Sequence, residues 1–146
     1  MRVIPRLVVF LMAVVLGSTS YTASAQSKSA LIRILREQGF TGALSGDIHF
    51  TPLGTLHCPA SEYRVIYFEW YGPANPGSHR AQYRLLFLEG GKRYVGSYVI
   101  RDKPVSVGQG TILFGYDKAS GNVIGCSDIG TGESAQLDGG GATFEK

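Results

Sequence analysis

The chain is poor in the residues that carry most protein chemistry: 146 residues hold two cysteines, three histidines and one tryptophan. The cysteines, Cys58 and Cys126, form no Cys-x-x-Cys repeat. A metal site would have to be assembled from scattered His49, His57 and His79, so none is expected. Ser45 and Ser97 stand in no nucleophile-elbow pattern, and no histidine has a motif around it. The glycine pairs Gly108-Gln109-Gly110 and Gly130-Thr131-Gly132 lack the strand-to-helix context of a phosphate loop. Asp117–Asn122 supplies one carboxylate and no bidentate partner, too little for calcium. These absences predict no catalytic residue, no cofactor and no metal.

Charge is also sparse. The formal net charge is +3, but there is no basic run and no aromatic RNA-binding motif, so no nucleic-acid partner is expected. Arg2 and Arg6 precede an apolar run, Leu7–Leu16, and the small residues Ala23-Ser24-Ala25 follow. That order predicts a secretory signal peptide over 1–25, cleaved near Ala25. The run is too short to span a bilayer. Without Arg2 and Arg6 the balance is 12 basic against 11 acidic residues, or +1. The expectation is a periplasmic or secreted chain with no transmembrane segment after cleavage. In an exported chain an even pair of cysteines predicts a Cys58–Cys126 disulfide.

The chain is organised around Tyr63–Arg101, which reads as three antiparallel strands. Leu88-Glu89-Gly90-Gly91-Lys92-Arg93 carries the glycine pair of a two-residue hairpin turn. That turn would set Phe87 against Tyr94, Leu85 against Gly96 and Tyr83 against Tyr98. Gly72–His79 is a longer loop, so charge is used to fix the other register. Trp70 against Tyr83 also sets Arg64 against Glu89 and Glu69 against Arg84. Ile66, Phe68 and Trp70 are then expected inside with Tyr83, Phe87, Tyr94 and Tyr98. Tyr63, Tyr67 and Tyr71 are expected outside.

A helix is expected over 28–38, with Ser27 as cap, Leu31, Ile34 and Leu35 on one face, and Gly39 as stop. Leu44, Ile48 and Phe50 alternate as strand core positions, and Thr51-Pro52-Leu53-Gly54 predicts a turn. Further short strands are expected at Val105–Val107, Gln109–Tyr116 and Val123–Ser127. The glycine-rich end, 139–146, reads as a flexible tail, with Ala142–Phe144 its only strand-like piece. About eight short strands and one N-terminal α-helix predict a mainly β domain over 26–138, a small antiparallel β-barrel or twisted sandwich.

The functional expectation follows the aromatics. Tyr63, Tyr67 and Tyr71, with Glu69 and Arg84 beside them, make the amphipathic mixture enriched at recognition surfaces. Asn75 and His79 lie in a proline- and glycine-rich loop that a rigid scaffold would present. These seven residues predict an exported module that binds an unknown protein or glycan partner and is not an enzyme. Two other readings compete. One is a calycin-like carrier holding a small apolar ligand inside the barrel, with Gly96 leaving the space. The other is a structural envelope component joined through its glycine-rich end. Oligomeric state is not legible.

Overall fold

A computed structural model describes residues 26–72, 80–101, 103–104, 106–115, 123–131, 134–137 and 140–146. The expected signal peptide, Asn75, His79 and the polar connection at 117–122 lie outside the described residues.

Helix α1 spans Lys28–Glu37. The Ser27 hydroxyl accepts the Ala30 N–H at 3.3 Å, satisfying one of the donors that a first turn leaves without a helical partner. At the other end Gly39 takes a positive φ of 85°, and the Phe40 N–H donates to the Leu35 carbonyl at 2.9 Å. That closure turns the chain sharply enough to bring Phe40 back over the helix's own apolar side. Leu31, Leu35 and Phe40 are buried there together.

Nine strands follow among the described residues: β1 (Asp47–His57), β2 (Glu62–Gly72), β3 (Arg80–Glu89), β4 (Arg93–Ile100), β5 (Ser106–Val107), β6 (Thr111–Leu113), β7 (Val123–Gly125), β8 (Ser134–Leu137) and β9 (Gly140–Glu145). Six of them form one antiparallel sheet in the order β1-β2-β3-β4-β9-β8, and β5-β6-β7 form a second. Both faces of the large sheet are covered. Helix α1 and the Phe40–Leu44 segment cover Ile48, Ile66, Phe68, Leu86, Leu88 and Tyr94. The small sheet brings Ile112, Phe114 and Ile124 against Leu56, Val65, Leu85, Phe87 and Tyr98 on the other face. The Tyr98 hydroxyl donates to the Asp128 carbonyl at 2.6 Å, and the Cys58–Cys126 disulfide joins the end of β1 to the turn after β7. Two elements unrelated in sequence thus hold the small sheet in place.

Among the described residues the fold is therefore mainly β, with two antiparallel sheets and one α-helix, and the described strands close no barrel. The large sheet keeps two edges. On β1 the outward row is blunted locally: the Lys28 ammonium donates to the Ile48 carbonyl, and Pro52 has no N–H to offer. The other edge, β8, is four residues long.

Four local expectations are corrected. Thr51-Pro52-Leu53-Gly54 is no turn; β1 runs through it with a bulge between Pro52 and Gly54, which absorbs the proline without ending the strand. The β3–β4 connection uses Gly90, Gly91 and Lys92, so Glu89 pairs with Arg93, and a bulge sets Leu88 against Tyr94 but Phe87 against Gly96. Between β2 and β3, Trp70 pairs with Gln82 and Glu69 with Tyr83, one residue away from the charge-matched register. Finally, Gly140–Glu145 is a strand inside the sheet rather than a loose end.

Those shifts divide the expected aromatic core. Phe68, Trp70 and Tyr94 lie on the helix side, whereas Tyr83, Phe87 and Tyr98 lie on the small-sheet side. With both faces apolar, a one-residue slip costs no burial, so the hydrophobic pattern left the register undetermined. The Arg64–Glu89 and Glu69–Arg84 pairs used to choose it would have been small terms in any case.

Candidate functional site

The strands of the small sheet are two or three residues long, against eight to eleven in β1–β4, and Asp47, His49 and Tyr71 at one end of the large sheet stand exposed. Strand alternation and register place Asp47 and His49 of β1, Glu69 and Tyr71 of β2, and Tyr83 of β3 side by side on one face at this end. Asp47 pairs across with Tyr71, His49 with Glu69, and Glu69 with Tyr83.

A row of tyrosine rings links the covered and uncovered parts. Tyr67, 5% exposed, stacks on Tyr83 with centroids 6.1 Å apart and planes 7° from parallel. Tyr83 meets Tyr71 edge-to-face at 6.3 Å, and Tyr71 meets His49 in the same manner at 6.0 Å. These offset and edge geometries suit the ring quadrupoles. At the covered end the Lys103 ammonium sits 5.2 Å from the Tyr67 ring centroid. At the open end Tyr71 is 37% exposed, one of two large apolar side chains so exposed among the described residues; the other is Val99.

Polar contacts tie the row to carboxylates. The Tyr71 hydroxyl donates to Glu69 Oε1 at 3.1 Å, and His49 Nε2 lies 2.9 Å from Asp47 Oδ1. Hydrogen bonding to Tyr83, and next to Glu69, pushes the Tyr71 hydroxyl up to about 12. Tyr71 therefore remains a neutral phenol throughout the physiological range.

Of the seven residues expected to bind a partner, the structure brings only Glu69 and Tyr71 to this open end. Tyr63 is half-buried against Phe87, with centroids 6.4 Å apart. Tyr67 shares the face of Tyr71 as expected, but the small sheet and Lys103 cover it. Arg84 lies on the opposite face, 5% exposed. Its guanidinium donates to Glu145 Oε2 at 2.6 Å and to Ser97 Oγ at 3.2 Å, and lies 5.4 Å from the Phe40 ring centroid. That makes Arg84 a buried structural cation. Asn75 and His79 lie outside the described residues.

Asp47, His49, Tyr83 and Lys103 were not foreseen at the site. Leu44, Ile48 and Phe50 had already been read as core positions, so the opposite parity of Asp47 and His49 was available in the sequence. What was missing was the pairing of β1 with β2, because the bulge at Pro52 disguises one long strand as a turn.

The two competing readings meet specific obstacles. The space expected at Gly96 is filled: a Cβ there would stand 2.3 Å from Phe144 Cε1. The C-terminal segment is paired within the fold, Glu145 with Ser97 and Phe144 with Tyr98. Among the described residues, no group of three or more His, Cys, Asp or Glu side chains is placed to hold a metal ion, and no helix is long and apolar enough to cross a membrane. Comparison with protein-family models, with curated proteins and with solved structures finds no match to this chain.

Proposed function

We propose that this protein is an exported binding module that engages a protein or glycan partner at the open end of its large sheet, through Tyr71, Tyr83, Glu69, His49 and Asp47. The observation that carries this reading is the exposed Tyr71 ring, held between Tyr83 and His49 and hydrogen-bonded to Glu69. A ring restrained in this way loses little conformational freedom on binding, which favours affinity per unit of area. Support for export comes from the disulfide, which persists in oxidising compartments, and from the signal-like order of residues 1–25.

The test is retention of a partner from the protein's own exported fraction by the immobilised mature chain. Tyr71→Ala should abolish retention, and Lys92→Ala, on the β3–β4 turn, should leave it intact. A partner held equally by the Tyr71→Ala variant would remove this surface from consideration.

A further inference from the structure

We propose that the open end of the tyrosine row receives a cationic side chain, arginine or lysine, presented by a protein partner. The inference rests on the binding reading above and names the chemistry of what is bound.

Local charge is the first argument. Asp47 and Glu69 are carboxylates on adjacent strands, and His49 between them contributes no formal charge when neutral. Each carboxylate spends one oxygen on an internal partner, His49 for Asp47 and Tyr71 for Glu69. A carboxylate has roughly four lone-pair directions, so both retain acceptor capacity toward a donor-rich group such as a guanidinium. The expected mature chain is close to balanced, 12 basic against 11 acidic residues, or +1. The acidic character is thus local to this end, and a cationic segment is drawn here rather than to the surface at large.

The second argument is the ring row itself. Aromatic faces attract cations through their quadrupole, within about 6 Å of the centroid. This row already accommodates one at its covered end, where Lys103 lies over Tyr67. Tyr83 stacks on Tyr67 and meets Tyr71, so the same series of rings ends at the exposed position with two carboxylates in place of a lysine. A neutral glycan would use the ring and the acceptors but would gain nothing from the net negative charge, which is why a basic protein segment is favoured.

The experiment is a nuclear magnetic resonance titration of the mature disulfide-bonded chain, following the Tyr71 and Tyr83 ring signals and the Glu69 amide. The probes are an oligo-arginine peptide, an oligo-glutamate peptide and a neutral cello-oligosaccharide. Oligo-arginine should shift these signals, leave Leu31 and Leu35 unmoved, and bind more weakly at about 0.15 M salt than at low salt. Asp47→Asn with Glu69→Gln should weaken that binding by about fivefold to tenfold, the scale of two partly exposed charge pairs. These isosteric changes preserve the fold, which the unchanged Leu31 and Leu35 signals verify. Absence of any Tyr71 shift with oligo-arginine, or a shift unaffected by the double substitution, overturns the inference. A response to the oligosaccharide alone also overturns it, while leaving the binding reading in place. If no probe moves Tyr71 and the Tyr71→Ala chain still retains its partner, both fall.

Discussion

Arg84, in the middle of β3, and Glu145, at the end of β9, meet at 2.6 Å across 61 residues of sequence. Arg84 is on the helix side of the sheet, under Phe40, and its Nε is buried without a hydrogen-bond partner. Glu145 is the group that makes this burial tolerable, since an uncompensated buried guanidinium is costly.

Glu145→Ala should therefore destabilise the protein by about 1–2 kcal/mol, less than a fully buried pair because the Glu145 side chain is 42% exposed. Arg84→Met in the same chain should recover most of that loss by replacing the orphaned charge with an apolar side chain. Urea unfolding of the two variants measures both effects. A double variant no more stable than Glu145→Ala alone would show that the buried charge is not the cause.

Gly96 is demanded by close approach. A Cβ there would lie 2.3 Å and 2.4 Å from two Phe144 ring carbons and 2.7 Å from the Glu145 carbonyl oxygen. The ring can turn but the paired backbone cannot, so Gly96→Ala should push β9 off β4 at a cost of about 1–3 kcal/mol. Hydrogen exchange at Phe144 and Glu145 should rise selectively. Uniform exchange across the sheet would contradict this local account.

The disulfide closes a separation of 68 residues. Chain-entropy arguments assign such a loop about 4 kcal/mol. Cys58→Ser with Cys126→Ser should lower the unfolding free energy on that scale, read from the denaturant midpoint together with a steeper slope, because the uncrosslinked denatured chain exposes more surface. A loss below about 1 kcal/mol would mean that the Tyr98–Asp128 bond and the apolar contacts hold the small sheet without it.

Alkaline titration reports on the open end of the sheet. Tyr71 has its hydroxyl raised from about 10 to about 12 by Tyr83 and Glu69. The folded state favours the neutral phenol, so whatever stability these bonds contribute is intact below pH 10 and is lost as pH rises toward 12. Ultraviolet difference spectra of wild type and Tyr71→Phe should differ by one phenol ionising near that upper limit. If the missing ionisation falls at the ordinary value instead, the hydrogen bonds to Tyr83 and Glu69 do not persist in solution.

Much of the architecture was legible locally. The Ser27 cap, the Leu31 and Leu35 stripe and the Gly39 stop delimited α1 within a residue, because capping and periodicity act within one or two turns. Alternation correctly placed Tyr63, Tyr67 and Tyr71 on one face and Ile66, Phe68 and Trp70 on the other. The binding residues fared worse. Tyr67 was assigned to an exposed surface on the assumption that one face of the sheet was open, Arg84 stood on that face only in the charge-matched register that the structure replaces, and only Glu69 and Tyr71 reached the open end.

The amino-acid sequence on its own determined the helix and its limits, the alternation of side chains within each strand, and the cysteine pairing, since these depend on neighbours in the chain or on there being only two thiols. Tertiary structure alone decided which face is covered and how far, that β9 enters beside β4 to meet Arg84 and fill the space at Gly96, and that Tyr67 is buried while Tyr71 is left exposed. Coverage is a contest between segments distant in sequence for the same apolar surface, and no local pattern records its outcome.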